Sequence, residues 1–465
     1  MTSITRYAGQ LKSELQTSAA ATALVREEDV AAACRAGHHH GRSCFWMPTV
    51  TLLTFLRQVM NGNCSCRQAV QLTIAASAAG DVGVGPEGEG WVSGDPSAYG
   101  QARQKLPLPT YDELARCMTE SVKRAVGKAR LWCGRLVRLI DGSSVSMPDT
   151  GALQQAYPQP SGQRLGCGFP VARLVGLFCW SSGALLELRE ASLRVGELTL
   201  FRRLMDRIEP DAVVVGDRYF GSYYDLCLLM ERGLDGVFRL HQSRPTDLRR
   251  GTRLGRRDHL VTWIKPNKPP VGVSEEAWAD VPETLTVRHV RRTVDTPGCR
   301  SRRIELVTTL LDPQQYPAEE LANLYRDRWA VELNLRSMKT TLKMEVLKCQ
   351  SVEMIRKELR MYQIAYNLIR LLMWQAAEKY GCDPHRLSFA GTQQRINAML
   401  PFLDRCRTAA QRAALAERLL ELIAADKLPD RPNRIEPRCV KRRPKNYRRL
   451  TRPRCEARRA ILSGA

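Results

Sequence analysis

Several features are scarce or missing in this 465-residue sequence, and each absence excludes a class of protein. Residues 1–16 contain no apolar core of the kind that secretory signals carry, so we expect no export. The most apolar stretch, residues 361–373, is interrupted by Asn367 and Arg370 and is too short to cross a bilayer. The 15 cysteines include no Cys-x-x-Cys pair, which disfavours a disulfide framework or a zinc knuckle. These absences predict a cytoplasmic chain with reduced thiols and no membrane partner.

Acidic side chains are also scarce relative to basic ones. The chain has 71 Lys and Arg against 48 Asp and Glu, a formal net charge of +23. Residues 427–465 carry a net charge of +11 and residues 244–303 carry +7. A surface this basic repels itself unless a polyanion binds it, so nucleic acid is the first candidate partner. An anionic membrane is disfavoured because no amphipathic basic helix accounts for the charge. The remaining alternative is a solvated surface with a basic tail.

The spacing of apolar residues divides the chain into regions of different character. Up to about residue 125 the spacing is helical, and from residue 130 it changes to short apolar runs separated by turns and helices. A hairpin over residues 172–188 and alternating helices and strands up to residue 240 predict a mixed sheet with helices packed on it. A long helix is predicted over residues 318–343, with two more near 351–379 and 390–425. The predicted segments are 1–125 (helical), 130–243 (sheet core), 244–310 (basic and β-rich), 311–350 (long helix), 351–426 (helical) and 427–465 (basic tail).

Two aspartates directly follow apolar runs that read as strands. Asp141 follows residues 136–140, and Asp217 follows residues 212–216. An Asp-Gly pair after a strand is most often only a turn, so Asp141-Gly142 alone indicates little. Two carboxylates brought together repel each other unless a cation lies between them, and Mg²⁺ suits such oxygen ligands. A centre with two ions normally needs a third carboxylate.

The predicted helix over residues 318–343 supplies that third acid. Tyr325, Arg328, Glu332 and Lys339 follow one another at steps of three, four and seven residues. At ~100° per residue they fall within about 60° of one another on a single helix face. Such a face places one acid among groups that bind phosphate well. The alternative is an ordinary solvated helix face with an Arg328–Glu332 ion pair.

The same four residues carry a resemblance to a known family. Their spacing matches without gaps the Y-R-E-K signature of IS4-family insertion-sequence transposases. Asp141-Gly142-Ser143 resembles the first acidic motif of that family, and Asp217-Arg218-Tyr219-Phe220 resembles the second. Residues 97–103 and 441–447 are similar to other stretches of the family. The resemblance covers roughly residues 30–455.

The resemblance implies an α/β fold with an RNase H-like, retroviral integrase-type mixed-sheet core. A β-rich insertion interrupts that core, a helical domain precedes it, and a helical region with a basic tail follows it. Glu332 follows Asp217 by 115 positions, which leaves room for the insertion. The N-terminal helices are then expected to bind the transposon ends.

The resemblance also implies a reaction. Asp141, Asp217 and Glu332 would bind two Mg²⁺ or Mn²⁺ ions that activate water to cut DNA, and the freed 3′-hydroxyl would attack target DNA. The implied DNA contacts are Tyr325, Arg328, Trp329, Lys339, Arg218, Lys441, Arg442 and Arg443. Trp329 would stack on a flipped base, although a core aromatic on the opposite helix side is an equal alternative.

The implied partners are double-stranded DNA, as terminal inverted repeats and target, and a second copy of the chain in a synaptic homodimer. The implied setting is the nucleoid of a prokaryote. Two alternatives stay open. One is a structure-specific nuclease on the same fold, and the other is a decayed transposase that only binds DNA.

Overall fold

The computed structural model describes the chain in segments, which are residues 27–36, 46–80, 94–127, 130–242, 244, 251–293, 303–404, 406, 408–429 and 450–463. They form two compact units. A helical unit contains the described residues within 1–129, 182–185 and 334–428. A sheet unit contains those within 130–181, 186–333 and 429–465.

The N-terminal part of the chain is helical, as its apolar spacing predicts. Its helices are α1 Glu27–Ala36, α2 Pro48–Met60, α3 Cys66–Gly80, α4 Pro96–Lys105 and α5 Leu108–Val126. Pro48 and Pro96 lie in the first turn of their helices, where no backbone N–H is needed. The Asp95 side chain caps α4 by accepting a hydrogen bond from the Ser97 N–H at 2.7 Å.

A nine-stranded mixed sheet forms the centre of the sheet unit. Its strands are β1 Val137–Ser146, β2 Val171–Cys179, β3 Leu185–Ser192, β4 Val213–Gly216, β5 Asp235–Arg239, β6 Thr252–Gly255, β7 Asp258–Ile264, β8 Thr284–Thr293 and β9 Arg303–Thr308. Their spatial order is β3-β2-β1-β4-β5-β9-β8-β7-β6. β1 is antiparallel to β2 and parallel to β4, and β4 is parallel to β5. The fold is therefore mixed α/β, as the sequence predicts.

β1 pairs with its two neighbouring strands over different lengths. Pairing with β4 ends at Leu139, opposite Val215, whereas pairing with β2 continues to Ser146. Beyond Leu139 the β4 side of β1 is therefore free of its parallel neighbour. Crevices at the carboxyl ends of parallel strands are where ligands bind in such sheets.

The segment predicted to be β-rich contributes β6 to β9. β9 pairs antiparallel with β5, so this segment lengthens the central sheet rather than forming a second one. A buried ion pair joins two of its strands, because the Arg288 guanidinium on β8 donates to both carboxylate oxygens of Asp258 on β7, at 2.8 and 2.6 Å.

The helices of the sheet unit include one that departs from prediction. They are α6 Gly151–Ala156, α7 Glu197–Met205, α8 Tyr223–Glu231, α9 Glu275–Ala279 and α10 Ala318–Asp327, followed by α11 Trp329–Arg336. The single helix predicted over residues 318–343 is wrong, since α10 and α11 are separate and a π-helical turn, Ser337–Thr341, follows. At the break, the Arg328 N–H bonds to the Tyr325 carbonyl at 3.1 Å, a three-residue step tighter than an α-turn. Equal steps of 100° therefore do not run from Tyr325 to Lys339.

The remaining helices are α12 Val352–Lys379, α13 Phe389–Asp404, α14 Ala409–Ala425 and α15 Arg454–Leu462. α12 is a core helix that packs against α5, α2 and α14. Two polar residues of α12, Asn367 and Arg370, are buried and form hydrogen bonds. Asn367 bonds to both backbone groups of Leu185. Arg370 bonds to Tyr366 and Asn334. The predicted helix over 390–425 is two helices, and Thr408 caps the second.

Two expected absences concern the described part of the chain. None of its helices is long and apolar enough to cross a membrane. Every cysteine within the described segments is free.

Candidate active site

Asp141 lies in the middle of β1 and not at its end. The strand runs on to Ser146, and Asp141 is opposite Gly176 of β2. The predicted turn at Gly142 is therefore wrong. Asp141 Oδ1 accepts a hydrogen bond from the Gly142 N–H at 2.9 Å, which holds the carboxyl group beside the backbone.

Glycine is required at position 142 for a steric reason and not for a turn. A Cβ at this position would overlap the carboxyl oxygen Oε1 of Glu197, the first residue of α7. The glycine thus permits a close approach of side chain to backbone rather than a turn. Sequence reasoning missed Glu197, because no motif or spacing marks it. The only signal was a glycine beside an acid, which a turn explains equally well.

Asp217 lies where the sequence predicts, immediately after the buried strand β4. The backbone N–H of Tyr219 donates to Asp217 Oδ1 at 2.7 Å, which orients the carboxylate. The neighbouring Arg218 is half-buried, and its Nη1 donates to Gln242 Oε1 at 3.0 Å. The Tyr219 ring is exposed beside them and was not singled out from the sequence.

Glu332 lies on α11 and is paired with Arg328. Arg328 Nη2 is 2.6 Å from Glu332 Oε1, so the ion pair that the sequence left as an alternative is present. Tyr325 is buried under the same guanidinium, whose Cζ is 5.9 Å from the ring centroid, and burial raises the pKa of its hydroxyl. Trp329 is 52% exposed, which excludes the core-aromatic alternative for this residue.

The electrostatics of Asp141 show which acids lie together. Burial raises the pKa of Asp141 to about 6. The Gly142 N–H and Arg328 oppose this shift, and the carboxylates of Asp217 and Glu332 add to it. Because these charges act on Asp141, the three predicted acids occupy one neighbourhood. The pKa of Glu197 is also raised, first by burial and then by Asp141 and Asp217, with Arg173 opposing.

The donor set of this neighbourhood fits a hard divalent cation. It consists of carboxylate oxygens, which Mg²⁺ and Mn²⁺ prefer. As the side chains are placed, no three Asp, Glu, His or Cys residues in the described segments are close enough to hold an ion. Glu332 is occupied by Arg328, so this acid would have to exchange an arginine for a cation.

Of the other predicted site residues, one belongs to the helical unit and three fall outside the described residues. Lys339 is a half-buried residue of the π-helical turn Ser337–Thr341. Lys441, Arg442 and Arg443 fall outside the described residues. A cavity of about 370 Å³ lies in the helical unit around Arg103 and contains none of the predicted site residues.

Comparison with known proteins gives the class of the protein. The family model described as "Transposase DDE domain" matches residues 132–368, just over half of the chain. The chain therefore belongs to the DDE transposases, enzymes that cleave DNA, transfer its strands and depend on divalent metal ions.

A similar protein gives the type. The transposase InsG for insertion sequence element IS4 of Escherichia coli (strain K12) is 29% identical over 374 residues, which cover 76% of this chain and 78% of InsG. The resemblance to IS4-family transposases is thus confirmed. A solved piggyBac transposase synaptic complex with hairpin DNA matches with a TM-score of 0.42 and 8% identity, covering 86% of this chain and 84% of that chain.

Proposed function

We propose that this transposase cuts DNA at the ends of its insertion sequence and joins the freed 3′-hydroxyls to target DNA, with Asp141, Asp217 and Glu332 as the metal-binding acids. The observation that carries the proposal is the electrostatic influence of Asp217 and Glu332 on Asp141, near the carboxyl end of β4. They come from three separate elements, so only the folded sheet unit unites them.

Two Mg²⁺ or Mn²⁺ ions are the proposed cofactors. Such ions, when bound, activate a water or 3′-hydroxyl and stabilise the leaving oxygen. The three carboxylates hold them, with Asp217 oriented by the Tyr219 N–H and Asp141 by the Gly142 N–H. Glu332 reaches a cation once Arg328 releases it, and Arg328 is then available to form a bidentate contact with a DNA phosphate.

Side chains around the acids are proposed to position the DNA strand. The buried hydroxyl of Tyr325 keeps its proton over the working pH range, because burial raises its pKa, and so it donates to phosphate rather than acting as a nucleophile. The exposed ring of Trp329 is available to stack on a base. Arg218, Lys339 and the basic residues Lys441, Arg442 and Arg443 are assigned further phosphate contacts.

The finer fold assignment belongs to the same proposal. We infer an RNase H-like core from strands β3-β2-β1-β4-β5, with acids on β1 and after β4. The β-rich segment 244–310 is then an insertion that lengthens this sheet, and residues 1–125 form the domain that binds the inverted repeats. A homodimer is proposed because two DNA ends must be joined, and the nucleoid of a prokaryote is the proposed place of action.

The test is a cleavage assay with the purified chain, labelled double-stranded end DNA, a target plasmid and Mg²⁺. Nicks with 3′-hydroxyl ends and joined products are expected, and replacing Mg²⁺ by EDTA should remove both. Cleavage of branched DNA without joining would identify a structure-specific nuclease instead. Binding without any cleavage would identify a protein that only binds DNA.

A further inference from the structure

Glu197 is a half-buried carboxylate of the sheet unit, and within the described residues no hydrogen bond or ion pair compensates its burial. The Oε1 atom of Glu197 lies against the backbone of Gly142, next to Asp141. A carboxylate removed from water without a partner is costly, so a position like this needs a reason.

The chain holds Glu197 in this place from two sides. Glu197 is the first residue of α7, where a negative charge is favourable for the helix dipole. The segment just before α7 is tied to the sheet, because Arg173 Nη1 of β2 donates to the Val195 carbonyl at 2.6 Å. Arg173 is opposite Ser144 of β1, so this tie lies two residues from Gly142. The approach of Glu197 to β1 is therefore built by the fold and is not an accident of a free side chain.

The surroundings of Glu197 contain more negative charge than the protein neutralises. Asp141 and Asp217 both raise its pKa, Arg173 opposes them, and Arg328 is already engaged with Glu332. Past Leu139, β1 is no longer paired with β4, so Asp141 and Gly142 lie beside the carboxyl end of β4. A cation there would be approached by Asp141 and Glu197 from opposite sides of β1, because successive residues of a strand point to opposite faces of the sheet.

We propose that Glu197 is a fourth carboxylate of the divalent-cation site. The proposal rests on the function proposed above and adds one acid to it. Mg²⁺ keeps several of its waters in protein sites, so Glu197 can act on the cation through a bound water without entering a tight cage. Gly142 is then required at this site because any side chain there would expel Glu197.

The first experiment measures metal binding rather than activity. The full chain bound to end DNA is titrated with Mn²⁺ by calorimetry, for the wild type and for Glu197→Gln, which keeps the shape and removes the charge. We expect Glu197→Gln to weaken Mn²⁺ binding about tenfold or more, the usual scale for groups that support metal ligands. Its melting temperature without metal should stay within a few degrees of the wild type. Glu231→Gln, an exposed acid at the end of α8, is the matched control and should bind Mn²⁺ normally. Equal Mn²⁺ affinity for Glu197→Gln and the wild type overturns the proposal.

Asp141→Asn, titrated in parallel, separates this inference from the function on which it rests. Loss of Mn²⁺ binding in Asp141→Asn together with normal binding in Glu197→Gln overturns only the role of Glu197. Normal binding in both variants overturns the metal site itself, and the fourth carboxylate with it. Loss in both supports both.

A second experiment tests the geometry. Gly142→Ala places a methyl group where the Glu197 carboxyl lies, so it should weaken Mn²⁺ binding about as much as Glu197→Ala does. In a chain that already carries Glu197→Ala, Gly142→Ala should weaken Mn²⁺ binding little further, because the clashing carboxyl group is absent. Such non-additivity is the signature of two residues in contact. Fully additive losses would show that Glu197 does not act from beside Gly142.

Discussion

Acids in two parts of the sheet unit, the extension β6 to β9 and the region around β1 and β4, differ in how their charge is compensated. In the extension formed by β6 to β9, Asp258 receives two hydrogen bonds from Arg288, and both side chains are almost fully buried. At the open end of β4, Asp141 receives one hydrogen bond from its own backbone neighbour, and Glu197 receives none within the described segments. The pKa of both rises there, mainly because burial disfavours the charged form.

The two groups of acids differ in the source of the positive charge that balances them. Where the chain supplies it, as for Asp258 or for Asp225 with Arg202, the acid is a structural element. Where the chain supplies too little positive charge, as around Asp141 and Glu197, burial of the carboxylates lowers folding stability until a cation binds. The predictions below test this contrast, starting with the largest effect.

Removing the charge from an acid of the proposed triad should abolish catalysis and leave the fold intact. Asp141→Asn, Asp217→Asn and Glu332→Gln should each lower the rate of DNA cleavage at least about a thousandfold. Because Asp141→Asn and Asp217→Asn relieve repulsion among carboxylates, their free energy of unfolding should stay equal or increase slightly, whereas Glu332→Gln also breaks the ion pair with Arg328 and should lower it. Cleavage assays, end-binding assays and thermal unfolding measure the three quantities. A variant that cleaves at the normal rate removes its residue from the triad.

Breaking the ion pair in the sheet extension should have the reverse effect. Asp258→Asn leaves the Arg288 guanidinium buried without its counter-charge and should lower the free energy of unfolding by about 3–5 kcal/mol. Chemical denaturation measures it. Asp206→Asn, which breaks an exposed pair with Arg232, is the control and should cost less than about 1 kcal/mol. Equal losses for the two variants would contradict the contrast.

His289 on β8 should make the stability of the same extension depend on pH. Its Nε2 accepts a hydrogen bond from the Trp263 indole N–H at 3.0 Å, so the ring must be neutral there. Burial lowers its pKa to about 4, and Arg244, Arg291 and His259 add to the shift. The unfolded chain binds this proton near pH 6.5, so the stability is complete above that pH and is lost as the pH falls towards 4.

The loss attributable to His289 should reach about 2–3 kcal/mol, at 1.4 kcal/mol per pKa unit as an upper scale. Thermal unfolding between pH 7 and pH 4.5 measures it, with His289→Gln as the variant that keeps a hydrogen-bond acceptor but does not titrate. Parallel pH dependences for the wild type and His289→Gln would show that another group is responsible.

The basic C-terminal segment, which has far more Lys and Arg than Asp and Glu, should gain its counter-charge from DNA phosphates. Residues 430–465 have a large basic excess, so deleting them should weaken DNA binding about tenfold at physiological salt and flatten its dependence on salt concentration. Binding of labelled DNA across a salt series measures this. An unchanged slope would show that the tail does not contact phosphate.

The sequence predicts elements whose pattern is local. The hairpin β2–β3 and the strand β4 that precedes Asp217 lie within a few residues of their predicted positions, because an apolar pattern is visible along each. The resemblance also located three acids that the structure brings into one neighbourhood.

What the sequence does not predict depends on hydrogen-bond register or on distant contacts. Residues 318–343 have helical propensity throughout, so neither the break at Arg328 nor the π-helical turn leaves a trace in composition. Gly142 beside Asp141 is explained equally well by a turn. Only the contact of the Glu197 carboxyl group with the backbone of Gly142 shows that the glycine makes room for Glu197.

The contact between Gly142 and Glu197 also limits the order in which substitutions at these two positions can accumulate during evolution. Positions 142 and 197 are 55 residues apart, yet a larger residue at the first is tolerated only after the second has been shortened. The reverse order passes through an intermediate with a steric clash. Related chains with alanine or serine at the first position should therefore have a short side chain at the second, and this pairing should be visible when enough of them are compared.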